Sequence, residues 1–271
     1  MKVLIGAPDD RGVAVVGGRV GAKEGPAAIR RELGKKIPCN DAGDISIAPT
    51  QEKTYQNLRE KISALHRKKT FPILLGGGHD LSFGSLSGFL DVFPEGGIIN
   101  IDPHLDARPI SEDGKISSGS AYRLLLEKKA LKGKQLMEWG YRMECNQPAN
   151  FNYLKEKGVQ LVPWPDDYDP IEAAKKNLPP FARSFPALAV SFDMDSIQKD
   201  FAPGVSAPAQ IGYTAEQAVA LVQLLRQFPN LKQFEIMEVN PRFDIEDRTV
   251  QLAARLIGEL LRGVRLGSGS V

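Results

Sequence analysis

The chain has 271 residues, of which 42% are hydrophobic and 25% charged, and Lys plus Arg (35) nearly balances Asp plus Glu (33) for a net charge of +2. That is ordinary globular composition, and it excludes a disordered chain, a collagen-like fibre and a coiled-coil rod. No charge excess attracts nucleic acid or an acidic membrane, and no apolar stretch approaches the ~20 residues of a membrane span.

In chain order, short continuous apolar runs predict strands at Val3–Ala7, Phe71–Leu75, Ile98–Ile101, Gln135–Gly140, Gln160–Pro163, Leu188–Phe192 and Phe234–Val239. Continuous runs, rather than alternating ones, suit a parallel sheet buried on both faces. Helical patterns lie between them. Gln51–Lys68 places Tyr55, Leu58, Ile62 and Leu65 at helical spacing. Thr214 with Gln217 forms a capping box before Val219, Val222 and Leu225. Arg248–Gly263 carries Leu252, Leu256, Leu260 and a terminal glycine. Strand and helix alternate throughout, so the fold class is α/β with a mostly parallel sheet. The Pro/Gly/Ser-rich stretches are loop-length, so one domain is expected over residues 1–266, with 267–271 as a frayed tail.

The N-terminus turns acidic after eight residues and lacks the apolar region of a signal peptide. Cys39 and Cys145 belong to no paired motif and read as ordinary thiols of a reducing, cytoplasmic setting.

Ligands of open parallel sheets bind at the carboxyl ends of strands. Those ends carry His79 and Asp80 after a run of three glycines, then Asp102, His104 and Asp106, then Asp193 and Asp195, then Glu238. At i, i+2 and i+4 in extended chain, Asp102, His104 and Asp106 would project to one side. Four buried carboxylates repel each other, and two divalent cations would neutralise them. Mixed oxygen and imidazole donors suit Mn²⁺ and related ions rather than thiolate-seeking metals. Taken singly, a strand-end Asp is often a turn residue and a lone His is usually structural. It is the arrival of six donors in three motifs that points to a dinuclear metal site at His79, Asp102, His104, Asp106, Asp193 and Asp195. The third histidine, His66, ends a helix on its apolar side and is expected to pack. That leaves no histidine for a proton shuttle. The glycine run before His79 is not G-x-G-x-x-G, which argues against a nucleotide-binding domain.

These motifs resemble the ureohydrolase family of arginases, agmatinases and formimidoylglutamases. The resemblance also rests on Gly18–Ala22, Gly25-Pro26, Pro203–Pro208 and Glu238–Pro241. It implies a three-layer α/β/α domain with about eight parallel strands and two Mn²⁺ ions. One ion would be held by His79, Asp102, Asp106 and Asp193. The other would be held by Asp102, His104, Asp193 and Asp195. In the family the two ions make hydroxide available from water near neutral pH. Asp106 would orient that hydroxide and later protonate the leaving nitrogen, and Glu238 would pair with the substrate's amidine or guanidine.

Within the family, Ser117–Ser120 followed by Ala121, the run Asp106–Pro109, the loop Pro203–Pro208 and the segment Gly140–Asn146 with its asparagine resemble formimidoylglutamases. Pro103, in place of the usual alanine, departs from the pattern. The subfamily implies hydrolysis of N-formimidoyl-L-glutamate to formamide and L-glutamate, a step of histidine degradation. Its two carboxylates need cationic partners, for which Arg108, Arg123, Arg142 and Arg242 lie near strand ends or site loops. Arg123 and Arg142 are the expected pair, with Ser118 and Ser120 as further substrate contacts. A small-molecule substrate is thus expected, with no nucleic-acid or membrane partner, and with a homo-oligomer left open. The alternatives are a ureohydrolase releasing urea from a guanidine, or a metal-binding paralogue without turnover.

Overall fold

The computed structural model describes residues 1–34 and 39–262, so the expected tail and the terminal Gly263 lie outside the described residues. The strands are β1 (Lys2–Gly6), β2 (Asn40–Asp44), β3 (Phe71–Leu75), β4 (Gly97–Ile101), β5 (Leu136–Tyr141), β6 (Gln160–Pro163), β7 (Leu188–Asp193) and β8 (Leu231–Met237). All pair in parallel, in the order β2-β1-β3-β8-β7-β4-β5-β6. The expected eight-stranded parallel α/β sheet is what forms.

The helices are α1 (Arg11–Val16), α2 (Gly25–Gly34), α3 (Gln51–Arg67), α4 (Ser82–Leu90), α5 (Ala121–Glu127), α6 (Pro148–Glu156), α7 (Pro170–Arg183), α8 (Ala215–Leu225) and α9 (Arg248–Leu261). Alternate strand residues feed opposite layers. Ile99 and Ile101 of β4 pack in one core cluster with α2, α7, α8 and α9, while Ile98 packs in another with α4, α5 and α6. Likewise Ile73 and Leu75 of β3 face the first layer, and Leu74 faces α3. This two-sided burial is why the strands read as unbroken apolar runs.

The expected capping box at Thr214 forms, and Thr50 supplies a cap that was not anticipated. Thr50 Oγ1 accepts from the Lys53 N–H at 3.3 Å to open α3. Thr214 Oγ1 accepts from the Gln217 N–H at 3.2 Å while Gln217 Oε1 accepts from the Thr214 N–H at 3.0 Å.

Two expectations needed correction. β2 was not anticipated, because Asn40-Asp41-Ala42-Gly43-Asp44 carries no apolar run. It is an edge strand held by pairing with β1 and by Arg30 of α2, whose Nε lies 2.7 Å from Asp41 Oδ2 and which also pairs with Asp44. β8 was expected to reach Val239 and instead ends at Met237. Glu238 follows with φ +64, a left-handed conformation that a strand cannot continue.

Candidate metal centre

Strand order assembles the site. β3, β8, β7 and β4 are consecutive across the middle of the sheet. Their carboxyl ends deliver His79, Glu238, Asp193 with Asp195, and Asp102 to Asp106 to one place, although these residues span 160 positions of sequence. His79, His104, Asp106, Asp193, Asp195 and Glu238 line a cavity of ≈ 280 Å³. Drug-sized ligands fill roughly 300–1,000 Å³, so the occupant is small.

The local geometry of the motifs is not the extended chain expected from spacing. Beyond Ile101 the backbone leaves the strand, and Asp106 has φ +42. Asp102 Oδ1 accepts from the His104 N–H at 2.7 Å, and Asp193 Oδ1 accepts from the Asp195 N–H at 2.7 Å. Both D-x-H and D-x-D are therefore tight turns closed by the first aspartate on the backbone two residues on, a use to which short acidic side chains are suited. The turns, not strand alternation, aim the donors. Asp106 and Glu238 are both non-glycine residues held in the left-handed region, a strain that persists only where surrounding contacts enforce it.

His79 Nδ1 lies 3.0 Å from Asp102 Oδ2, 2.9 Å from Asp106 Oδ2 and 2.9 Å from Asp193 Oδ2. One ring nitrogen cannot donate to three oxygens. Asp102 Oδ2 and Asp106 Oδ2 are buried and have no hydrogen-bond partner. Separations near 3 Å are the edge length of an octahedron with metal–oxygen bonds of about 2.1 Å. The donors thus fit a divalent cation. A second group, His104, Asp193 and Asp195, also brings its donor atoms within 4.8 Å of one another. His104 Nδ1 is 3.1 Å from Asp102 Oδ1, so Asp102 and Asp193 stand between the two groups. All six expected donors converge.

Electrostatics make the same demand for positive charge. Burial, then the charge of Asp102, pushes Asp193 up to about 6. Burial raises Asp195 well above the carboxylate range, with Asp193 and Glu238 adding to it. Burial, then Asp193, does the same to Glu238. Burial would lower His104, but Asp102 outweighs it and brings the imidazole up to about 10.

A buried polar chain orients His79. Its Nε2 lies 2.9 Å from Ser191 Oγ, which is 3.3 Å from Ser82 Oγ, and Ser82 donates to Glu235 Oε2 at 2.7 Å. With Ser82 donating to Glu235, the hydroxyl of Ser191 turns toward Ser82 and accepts from His79 Nε2–H. That leaves the Nδ1 lone pair for the cluster, as metal-binding histidines require. The chain continues through Gln233, which donates to Glu235 Oε1 at 2.9 Å and whose Oε1 lies 2.8 Å from His66 Nε2. His66 is also packed edge-on against Phe89 and Phe93, the packing role expected of it.

Glu238 is buried and lines the cavity. Its Oε1 accepts from the His79 backbone N–H at 2.7 Å, and its Oε2 accepts from Ser206 Oγ. The glycine run before His79 is a packing feature: a Cβ on Gly77 would fall 2.0 Å from the Asp9 carbonyl oxygen.

Not every expected substrate residue lines this cavity. Ser118 does. Ser120 does not: it is wholly buried, with its hydroxyl 2.8 Å from that of Ser117. Arg123 is held one helical turn along by Glu127 (2.8 Å) and lies 4.1 Å from the Tyr153 ring centroid. Arg142 donates from Nε to Glu144 at 2.6 Å and borders a neighbouring cavity instead. Arg242 pairs with Glu24 at 2.7 Å. Acidic residues two or four positions away were the visible signal that Arg142 and Arg123 would be neutralised locally. The arginines that do line the cavity are Arg19 and Arg108, with Cys145 beside them as a free thiol. Asn146 lines it too, but its amide braces the metal loop: Oδ1 accepts from the Leu105 N–H at 2.8 Å, and Nδ2 donates to the carbonyls of Pro103 (2.8 Å) and Arg142 (2.7 Å).

An eight-stranded parallel sheet with a histidine–carboxylate cluster at its carboxyl edge defines an α/β protein built to hold divalent cations. Residues 2–262 match the arginase family, to which this chain belongs. It is 32% identical over 267 residues to the formimidoylglutamase of Macrococcus caseolyticus, covering 95% of this chain and 82% of that protein. It is 32% identical over 272 residues to that of Staphylococcus epidermidis, covering 95% and 85%. Among solved structures, Trypanosoma cruzi formiminoglutamase with Mn²⁺ superposes with a TM-score of 0.86 at 31% identity, over 96% of this chain and 91% of that one. Arginase from Bacillus subtilis superposes with a TM-score of 0.86 at 25% identity, over 98% and 100%.

Proposed function

We propose that this chain is a dinuclear Mn²⁺-dependent hydrolase of linear amidines, converting N-formimidoyl-L-glutamate and water to formamide and L-glutamate. One catalytic unit over residues 1–266 carries the activity, and the two free thiols support a cytoplasmic setting. The observation that carries the reading is the placement of buried Glu238 beside the His79–Asp193 cluster in one small cavity. The named relatives supply the substrate class.

His79, Asp102, Asp106 and Asp193 would hold one ion, and Asp102, His104, Asp193 and Asp195 the other. When bound, the two ions supply Lewis acidity that makes hydroxide available from water near neutral pH. Glu238 receives the planar amidinium through paired, charge-assisted hydrogen bonds and turns its carbon toward the cluster. Ser206 and the His79 backbone N–H hold that carboxylate in place. The Asp106 carboxylate takes the proton released on attack and returns it to the leaving glutamate nitrogen, since the third histidine, His66, is packed away from the cavity.

The test is product release by the Mn²⁺-loaded protein offered formimidoylglutamate, arginine, agmatine or guanidinobutyrate. Formamide from the first substrate alone is the expected result. Urea from any guanidine would replace the proposed substrate while leaving the metal chemistry standing.

A further inference from the structure

Two arginines line the cavity, and they differ in what already holds them. Arg19 Nε donates to the Val205 carbonyl at 3.0 Å, and its Nη2 donates to the Pro203 carbonyl at 2.7 Å. Its guanidinium also lies 4.6 Å from the Phe243 ring centroid. Arg19 therefore ties two loops together.

Arg108 is half-buried, and among the described residues its guanidinium has no hydrogen-bond, ion-pair or ring partner. Its position is nonetheless fixed. Its backbone N–H donates to the Gly119 carbonyl at 2.7 Å. Its stem lies so close to Gly119 that a Cβ there would come within 2.9 Å of Cδ and 3.0 Å of Nε. It stands two residues beyond Asp106, on the same turn as the cluster. A guanidinium so placed, partly withdrawn from water and without a counter-charge, is suited to a ligand that brings one.

We propose that Arg108 is the specificity-determining residue that pairs with a substrate carboxylate. This rests on the proposed function and deepens it. The cavity then reads a dipolar molecule. Its deep end, with Glu238 and the aspartates, takes the cationic amidine, and Arg108 takes the anionic part through its two-pronged donor face. A substrate with a second cation in place of the carboxylate, such as agmatine, meets a like charge there and is rejected.

The experiment compares kcat/KM for formimidoylglutamate with that for N-propylformamidine, which keeps the amidine and lacks both carboxylates. It uses Mn²⁺-loaded wild type and Arg108→Met, matched for metal content and Tm. The selectivity ratio should fall about 10- to 100-fold in the variant, the size of a lost charge-assisted pair, mainly through KM. Arg108→Lys should recover part of the ratio. An unchanged ratio would overturn the role of Arg108 while the proposed function stands. Wild type that hydrolyses no formimidoylglutamate would remove both. If Arg108→Met does not fold, Arg108→Lys and Arg108→Gln carry the same comparison.

Discussion

Glu238 Oε1 accepts the backbone N–H of His79 at 2.7 Å, so the ends of β8 and β3 are clasped by a side chain that also faces the cavity. The clasp couples the placement of the carboxylate proposed to pair with the amidine to that of a proposed metal ligand. It also helps enforce the left-handed backbone of Glu238.

Glu238→Gln keeps the shape and an acceptor for His79 but removes the charge that pairs with an amidinium. We expect kcat/KM to fall about 100-fold. Metal content should be unchanged and Tm no lower, because one charge leaves a repelling cluster. Steady-state kinetics beside metal analysis checks this, and retained activity would remove Glu238 from its role.

Metal removal should destabilise the fold. Asp102, Asp106, Asp193, Asp195 and Glu238 are all buried in one place, and cations offset their repulsion. At a hundredfold excess over Kd, bound Mn²⁺ contributes about 3 kcal/mol by mass action. Tm should drop on chelation and return with Mn²⁺ but not with Na⁺.

Ser191→Ala breaks the link between His79 Nε2 and Glu235. Loss of such an outer hydrogen bond typically weakens metal binding about 10- to 100-fold. Mn²⁺ titration of the apoprotein by calorimetry would measure it. Ser191→Thr, which restores the hydroxyl, should recover most of the affinity.

Asn146→Ala leaves the Leu105 N–H without its partner and takes one of two donors from the Pro103 and Arg142 carbonyls. We expect a loss of about 1–3 kcal/mol in denaturant unfolding. Metal affinity should fall with it, because the amide braces the loop that carries Asp102, His104 and Asp106.

His66 gives a pH dependence away from the metals. Burial lowers its pKa below the ordinary 6.5, partly opposed by Gln233. The unfolded chain therefore takes up a proton at this residue before the native one does. Its contribution to stability is complete above about pH 6.5 and is lost as pH falls through the lower, native value. Unfolding free energies at pH 7.5 and 5.5 should diverge more in wild type than in His66→Gln. Equal slopes would sink the assignment.

The candidate donors of the metal site were legible because their chemistry is local. Each motif follows an apolar run, and aspartate at such a position closes a turn on the backbone two residues on, as Asp102 and Asp193 do. The reason given by spacing was nevertheless wrong, since the chain there is turn rather than strand. β2 was invisible because an edge strand needs partners, here β1 and Arg30, more than it needs apolar residues. The arginines misled for a related reason. Proximity to strand ends said that Arg123 and Arg142 were near the site, but not that Glu127 and Glu144 would hold them.

By itself, then, the sequence determined the fold class and the family and marked the six candidate donors that the fold brings together, because apolar periodicity and short ligand motifs are properties of adjacent residues. Only the tertiary structure decided that β3, β8, β7 and β4 lie side by side, which places Glu238 against His79 across 159 residues. It also decided which cations stay free. Charge pairing depends on the acids that folding brings within a few ångströms, and of the two arginines at the cavity it leaves the Arg108 guanidinium without a partner among the described residues.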